Sequence, residues 1–197
     1  MNRIPTILFG LSAVLALCAA LLAWRLVGTG AEFDSGGQAA RIGGAFTLTD
    51  QDGQARSDRD FHGRWVLVYF GYSYCPDVCP TTLQEIADTV RRLGPRASQI
   101  VPVFITLDPE RDHPRTLKKY LAAFGPEFVG LTGTAAQIAS IAHAYGVYYA
   151  KHKLPGNSYS IDHTSALYLL APNGRFEEVL DEHEGPAKLA NDIGQRL

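Results

Sequence analysis

Apolar and polar positions divide the chain into an uninterrupted apolar run followed by alternating short segments. Trp65-Val66-Leu67-Val68-Tyr69-Phe70 is short, continuous and rich in β-branched and aromatic residues, which predicts a buried strand. After Pro80 the period changes. Leu83, Ile86, Ala87, Val90 and Leu93 recur at three- and four-residue steps and predict a helix to about Leu93, with Pro80 at its first position. Ile100–Leu107 reads as a second buried strand, with Pro102 confined to its start or edge. A helix follows from about His113 through Phe124 and is stopped by Gly125-Pro126. Phe128–Leu131 is a short strand, and Thr134 caps a helix carrying Ile138, Ile141, Ala142 and Tyr145. Lys151–Asp162 reads as a polar loop. It leads to a core strand over Ser165–Leu170, a turn at Pro172-Asn173-Gly174, a partner strand ending near Leu180, and a last helix opened by Pro186.

Upstream, Ala45–Thr49 alternates like a strand, Asp52-Gly53 supplies a hairpin turn, and Phe61-His62-Gly63 closes the return. Strands alternating with helices, then a closing hairpin and helix, predict an α/β sandwich with a mixed sheet. Ile4–Val27 is apolar apart from Thr6, Ser12 and Arg25, long enough at about 20 residues to span a bilayer. A cleaved signal peptide is the alternative, but its apolar region is usually only about 7–15 residues. The expected organisation is therefore a membrane anchor over 1–27, a Gly-rich tether over 28–40 and one domain over 41–197. Arg3 and Arg25 flank the segment and lean only slightly toward a cytoplasmic N-terminus, which would leave the domain on the extracytoplasmic side, where thiols tend to oxidise. Cys18 falls within the apolar run and reads as a packing or lipid-facing residue.

Charge excludes more than it suggests. A formal net charge of -2, with no long basic run, gives nucleic-acid binding no electrostatic support. Arg91-Arg92 and Lys118-Lys119 read as solvated helix faces.

The chemistry concentrates in Gly71-Tyr72-Ser73-Tyr74-Cys75-Pro76-Asp77-Val78-Cys79-Pro80, which holds two of the three cysteines. Both lie on the turn between the first core strand and its helix, with Cys79 near the helix start. There the positive end of the helix dipole favours thiolate over thiol. Two thiolates on one tight turn can converge on a soft metal ion or oxidise to a disulfide. A purely structural bridge would close so short a loop that it removes little unfolded-state entropy. The three-residue spacer is not that of the disulfide oxidoreductases. Two thiolates plus imidazole select Cu(I), Cu(II) or Zn(II); zinc is the less favoured, because a structural zinc site normally takes four protein ligands and only two cysteines are available here. Six histidines are available: His62, His113, His143, His152, His163 and His183. The residues alone leave the third ligand open, although His163 differs from the others in ending a polar loop directly before a core strand. Asp108, Glu110 and Asp112 cluster, but each reads as a turn or cap residue. No phosphate loop or nucleophile elbow follows a strand.

These blocks resemble the Sco/SenC family of membrane-anchored copper chaperones for cytochrome c oxidase assembly. The likeness rests on Gly71–Pro80, Leu107-Asp108-Pro109-Glu110-Arg111-Asp112, Phe124-Gly125-Pro126 with Gly130-Leu131-Thr132-Gly133, and Asp162-His163-Thr164, in family order over about residues 40–197. Ile105-Thr106 and His113 depart from it slightly. The resemblance implies a thioredoxin-like fold with an added N-terminal β-hairpin, preceded by one transmembrane helix in the inner membrane. It implies a redox-active Cys75–Cys79 pair and one copper ion, Cu(I) or Cu(II), held by Cys75, Cys79 and His163. The implied partners are the copper-bearing subunit of a cytochrome oxidase, a copper donor and a thiol reductant. The alternative activity is that of a thiol–disulfide reductase keeping the oxidase cysteines reduced.

Overall fold

The computed structural model describes residues 42–197. The expected anchor, the whole tether and Cys18 lie outside these residues, and among the described residues no helix is long and apolar enough to cross a membrane. Seven strands form the main sheet: β1 (Thr47–Asp50), β2 (Ala55–Ser57), β3 (Trp65–Gly71), β4 (Ile100–Thr106), β5 (Val129–Thr132), β8 (Leu167–Leu170) and β9 (Phe176–Leu180), in the order β2-β1-β5-β4-β3-β8-β9. Strands β3, β4 and β5 run parallel, while β8, β9, β1 and β2 pair antiparallel, so the sheet is mixed as expected. This thioredoxin-like arrangement carries the β1–β2 hairpin as an addition at one edge.

Continuous apolar character in β3 and β4 follows from burial on both faces. Leu67, Tyr69 and Phe104 face α1 (Val78–Arg92) and α4 (Pro186–Gly194), together with Leu117 and Leu121 of α2 (Pro114–Leu121). Val66, Val68, Phe70, Val103 and Ile105 face α3 (Ala135–Ala144) through Ile138, Ile141 and Tyr145. All five periodic residues that predict α1 are buried. Thr134 caps α3 as expected, in a reciprocal capping box with Gln137. Pro102 lies inside the central strand β4 yet costs no ladder bond toward β5, because that pairing begins at Val103.

Three local expectations need correction. Helix α1 starts at Val78, so Pro80 is its third residue rather than its first. Proline is tolerated there because the first N–H groups of a helix have no intrahelical acceptor. Residues Asp58–Phe61 form a 3-10 turn before β3 rather than a continuous strand return. The polar stretch 151–162 is not a loop: β6 (Tyr149–Leu154) and β7 (Ser158–His163) form an antiparallel hairpin outside the main sheet, in register from Tyr149–His163 to Leu154–Ser158. Of the residues in its two strands only Ile161 is buried, and the one alternating stretch, Tyr159 and Ile161 between Ser158, Ser160 and Asp162, is too short to set it apart from a polar loop.

Candidate metal centre

Strands β3 and β4 are parallel and end together, Gly71 opposite Thr106, so the segments leaving them emerge at one edge of the sheet. The cysteine turn leaves β3 there, and the Leu107–Asp112 segment leaves β4 beside it. Gly71 is required at the strand end by close approach. A Cβ at that position would lie 3.0 Å from both the Cys79 sulfur and Phe104 Cε2.

Cys79, the second residue of α1, is fully buried, whereas Cys75 on the turn is half-buried. Both are free thiols. The Asp77 side chain does not cap the helix. Instead the Cys75 sulfur accepts from the Cys79 backbone N–H at 3.4 Å, taking up one of the orphan donors of the first turn. The two sulfurs share a proton. Hydrogen bonding from the Cys79 thiol, against the opposing effect of burial, pulls Cys75 far below an ordinary thiol; His163 and the backbone N–H groups of Cys79 and Asp77 add to this. The same bond, with burial, pushes Cys79 up.

His163 ends β7 and reaches the same place from 84 residues away, its Nε2 lying 3.5 Å from Cys79 Sγ. Its Nδ1 lies 3.0 Å from the Thr164 carbonyl oxygen and donates to it, which aims Nε2 at the sulfurs. The rings of Tyr69 and Tyr72 stand edge-on to the imidazole at 6.4 and 6.0 Å. Burial raises the hydroxyls of both tyrosines, and the thiols nearby add to the rise.

Among the described residues no three His, Cys, Asp or Glu groups are spaced to hold an ion as they stand. The Cys79–His163 pair nonetheless has the separation of two ligands of one ion. Metal bonds of about 2.3 Å to sulfur and 2.0 Å to nitrogen, meeting at a tetrahedral angle, put the two donors about 3.5 Å apart. The other five histidines lie away from this place. His113 is the N-cap residue of α2 and His143 is exposed on α3, while His152 pairs with Asp162 at 3.1 Å and His183 with Glu182 at 3.5 Å. His62 stands near Gly174, at the opposite end of β3.

Sequence reasoning missed a second set of residues. Asp108 and Asp112 are fully buried rather than simple turn residues, and their side chains bond to Tyr159 and Ser73 respectively. The available signal was their position: two acidic residues directly after a core strand parallel to the one carrying the cysteine turn.

Comparison with known proteins agrees over the whole described region. The SCO1/SenC family model matches residues 34–197. The human mitochondrial protein SCO2 homolog is 40% identical over 163 residues, covering 81% of this chain and 61% of its own length, so the chain spans less than two thirds of that relative. The copper-bound structure of Bradyrhizobium japonicum ScoI is 42% identical with a TM-score of 0.75, covering 79% of this chain and 99% of that one. BsSco, a member of the Sco family of cytochrome c oxidase assembly proteins for which a disulfide switch is described, is 25% identical with a TM-score of 0.63, covering 79% of this chain and 91% of that one.

Proposed function

The chain belongs to the SCO1/SenC family, and from that premise we propose that it is a membrane-anchored copper metallochaperone. In this reading Cys75, Cys79 and His163 bind one copper ion and pass it to the copper centre of a haem–copper oxidase during assembly. Residues 1–27 anchor the chain in the inner membrane, 28–40 tether it, and the domain over 41–197 works on the extracytoplasmic side.

The observation that carries the reading is the 3.5 Å contact between Cys79 and His163, made across 84 residues and backed by a second thiol on the same turn. The chemistry of the donors supports copper as cargo. Two sulfurs and one imidazole are soft enough to favour it. Cys75, held at low pKa, offers its sulfur without first having to lose a proton, so loading releases fewer protons than at two ordinary thiols. Because it is half-buried, Cys75 is also a ligand an acceptor thiol can reach, while Cys79 is fully buried. Oxidation of the pair to a disulfide removes both sulfur ligands, which couples loading to redox state.

Anaerobic loading of the reduced chain with Cu(I), read by X-ray absorption, is expected to give two sulfur neighbours and one nitrogen. Structural zinc in four-ligand zinc-finger peptides is worth about 10–16 kcal/mol, so one ligand of such a site carries about 2.5–4 kcal/mol. His163→Ala should therefore weaken binding by two to three powers of ten in a chelator competition, with the fold intact. Wild-type affinity in that variant would remove His163 from the site.

A second reading, thiol–disulfide reduction of the oxidase's own cysteines, is favoured by the free thiols and the low pKa of Cys75. His163→Ala with both cysteines retained separates the two. Loss of oxidase assembly points to metal delivery, and its retention points to thiol reduction.

A further inference from the structure

The segment from Leu107 to Asp112 stands between the two places that supply the proposed ligands, and its side chains reach in both directions. Toward the cysteine turn, buried Asp112 accepts from the Ser73 backbone N–H at 2.9 Å, from the Ser73 hydroxyl, and from Thr106 Oγ1 at 2.6 Å. Ser73 lies two residues before Cys75. Toward the hairpin, buried Asp108 accepts from the Tyr159 hydroxyl at 2.7 Å and pairs with Arg111. The Arg111 guanidinium lies 3.7 Å from the centre of the Tyr159 ring and donates to the Tyr159 carbonyl oxygen at 3.1 Å. Glu110 pairs with Lys151 on the other hairpin strand at 2.7 Å. Tyr159 and Lys151 belong to the hairpin whose last residue is His163.

The geometry points to a positioning role for this segment. We propose that Asp108 and Asp112 brace the centre, Asp112 fixing the turn that carries Cys75 and Cys79, and Asp108 with Arg111 fixing the hairpin that presents His163. The proposal rests on the three-ligand reading above. Turn residues would spend their oxygens locally. Here the Asp112 carboxyl bonds across 39 residues and that of Asp108 across 51, each to a different ligand-bearing segment. The hairpin needs such an anchor, since it lies outside the main sheet and only Ile161 is buried among the residues of its two strands. It is also tied to the cysteine turn by the Ile161 N–H bond to the Tyr72 hydroxyl, at 3.3 Å, and by the Cys79–His163 contact. Supports of this kind, once removed, typically cost a metal site about 10–100-fold in affinity.

The test compares the full chain with Tyr159→Phe, Asp112→Asn and Ser73→Ala, and with Lys118→Ala as a surface control. Amide hydrogen exchange on the metal-free, reduced protein should accelerate over 158–163 in Tyr159→Phe, and over 71–80 in Asp112→Asn and Ser73→Ala. Helix α4 should be unchanged in all of them. Cu(I) affinity by chelator competition should fall about 10–100-fold in the brace variants and not in the control. X-ray absorption of Tyr159→Phe should keep two sulfur neighbours and show a weakened nitrogen contribution. Should Asp112→Asn fail to fold, Ser73→Ala carries that arm, because it leaves the buried carboxyl its backbone donor and Thr106. Unchanged affinity in Tyr159→Phe and Ser73→Ala beside a tight-binding wild type overturns the brace, as does uniform acceleration of exchange. If the wild type retains no copper, the three-ligand reading fails, and the segment-selective exchange pattern still decides the brace.

Discussion

The shared proton of the cysteine pair can be read without any metal, from the pH dependence of alkylation at Cys75. An ordinary thiol at 9.0 gains thiolate about tenfold per pH unit, roughly a thousandfold between pH 5 and pH 8. Cys75 is pulled to about 3, first by the hydrogen bond from the Cys79 thiol, with burial opposing and His163 and two backbone N–H groups assisting. It is thiolate over that whole range. Speed alone would not reveal this, because nucleophilicity falls with pKa by about 0.4–0.5 decades per unit. A drop from 9.0 to about 3 thus costs about 2.4–3 decades of intrinsic rate, which at pH 6 nearly cancels the thousandfold gain in thiolate. The signature is therefore the slope. Iodoacetamide pulses at pH 5, 6, 7 and 8, followed by peptide mass mapping to separate Cys75, Cys79 and Cys18, should give a flat profile at Cys75. Cys79, buried and pushed up, should be modified last. A tenfold rise per pH unit at Cys75, or earlier labelling of Cys79, would refute the shared-proton arrangement.

Two further predictions concern the frame that holds the site. Gly130→Ala places a Cβ against Leu121 Cδ1 and within 3.4 Å of Leu117 Cβ, where α2 packs on β5, so overpacking should cost about 1–3 kcal/mol in urea unfolding; a neutral result would mean that α2 shifts freely. Burial raises the Asp50 carboxyl, but hydrogen bonds from Arg56 and from the backbone N–H groups of Gln54 and Asp52 outweigh it and leave the group below 3.8. A folded value below the unfolded one contributes stability that is present above the unfolded value and is lost as pH falls through the folded one. Asp50→Asn should therefore be less stable than wild type at pH 7, with the gap in urea midpoint closing on acidification below about pH 4; a gap independent of pH contradicts the assignment.

Much of the frame was legible before folding because its signals are local. The β3 and β4 runs, the α1 periodicity, the Thr134 cap and the turn at Asp52-Gly53 all depend on residues within a few positions of each other. The cysteine turn was legible for the same reason: strand, two thiols and helix start are contiguous in the chain. The β6–β7 hairpin was not, because most of β6 is polar and exposed and the alternation in β7 is confined to Tyr159 and Ile161.

What the tertiary structure alone decided was proximity. Nothing in the spacing of six histidines selects His163; it meets Cys79 because β7 brings its last residue to the sheet edge where β3 ends. The same holds for Asp108 and Asp112, which look like turn residues beside their neighbours and turn out to bond Tyr159 and Ser73. Local pattern records what each segment needs to bury, whereas a ligand set depends on which distant segments share an edge. That is fixed only when the parallel pairing of β3 with β4 closes the sheet.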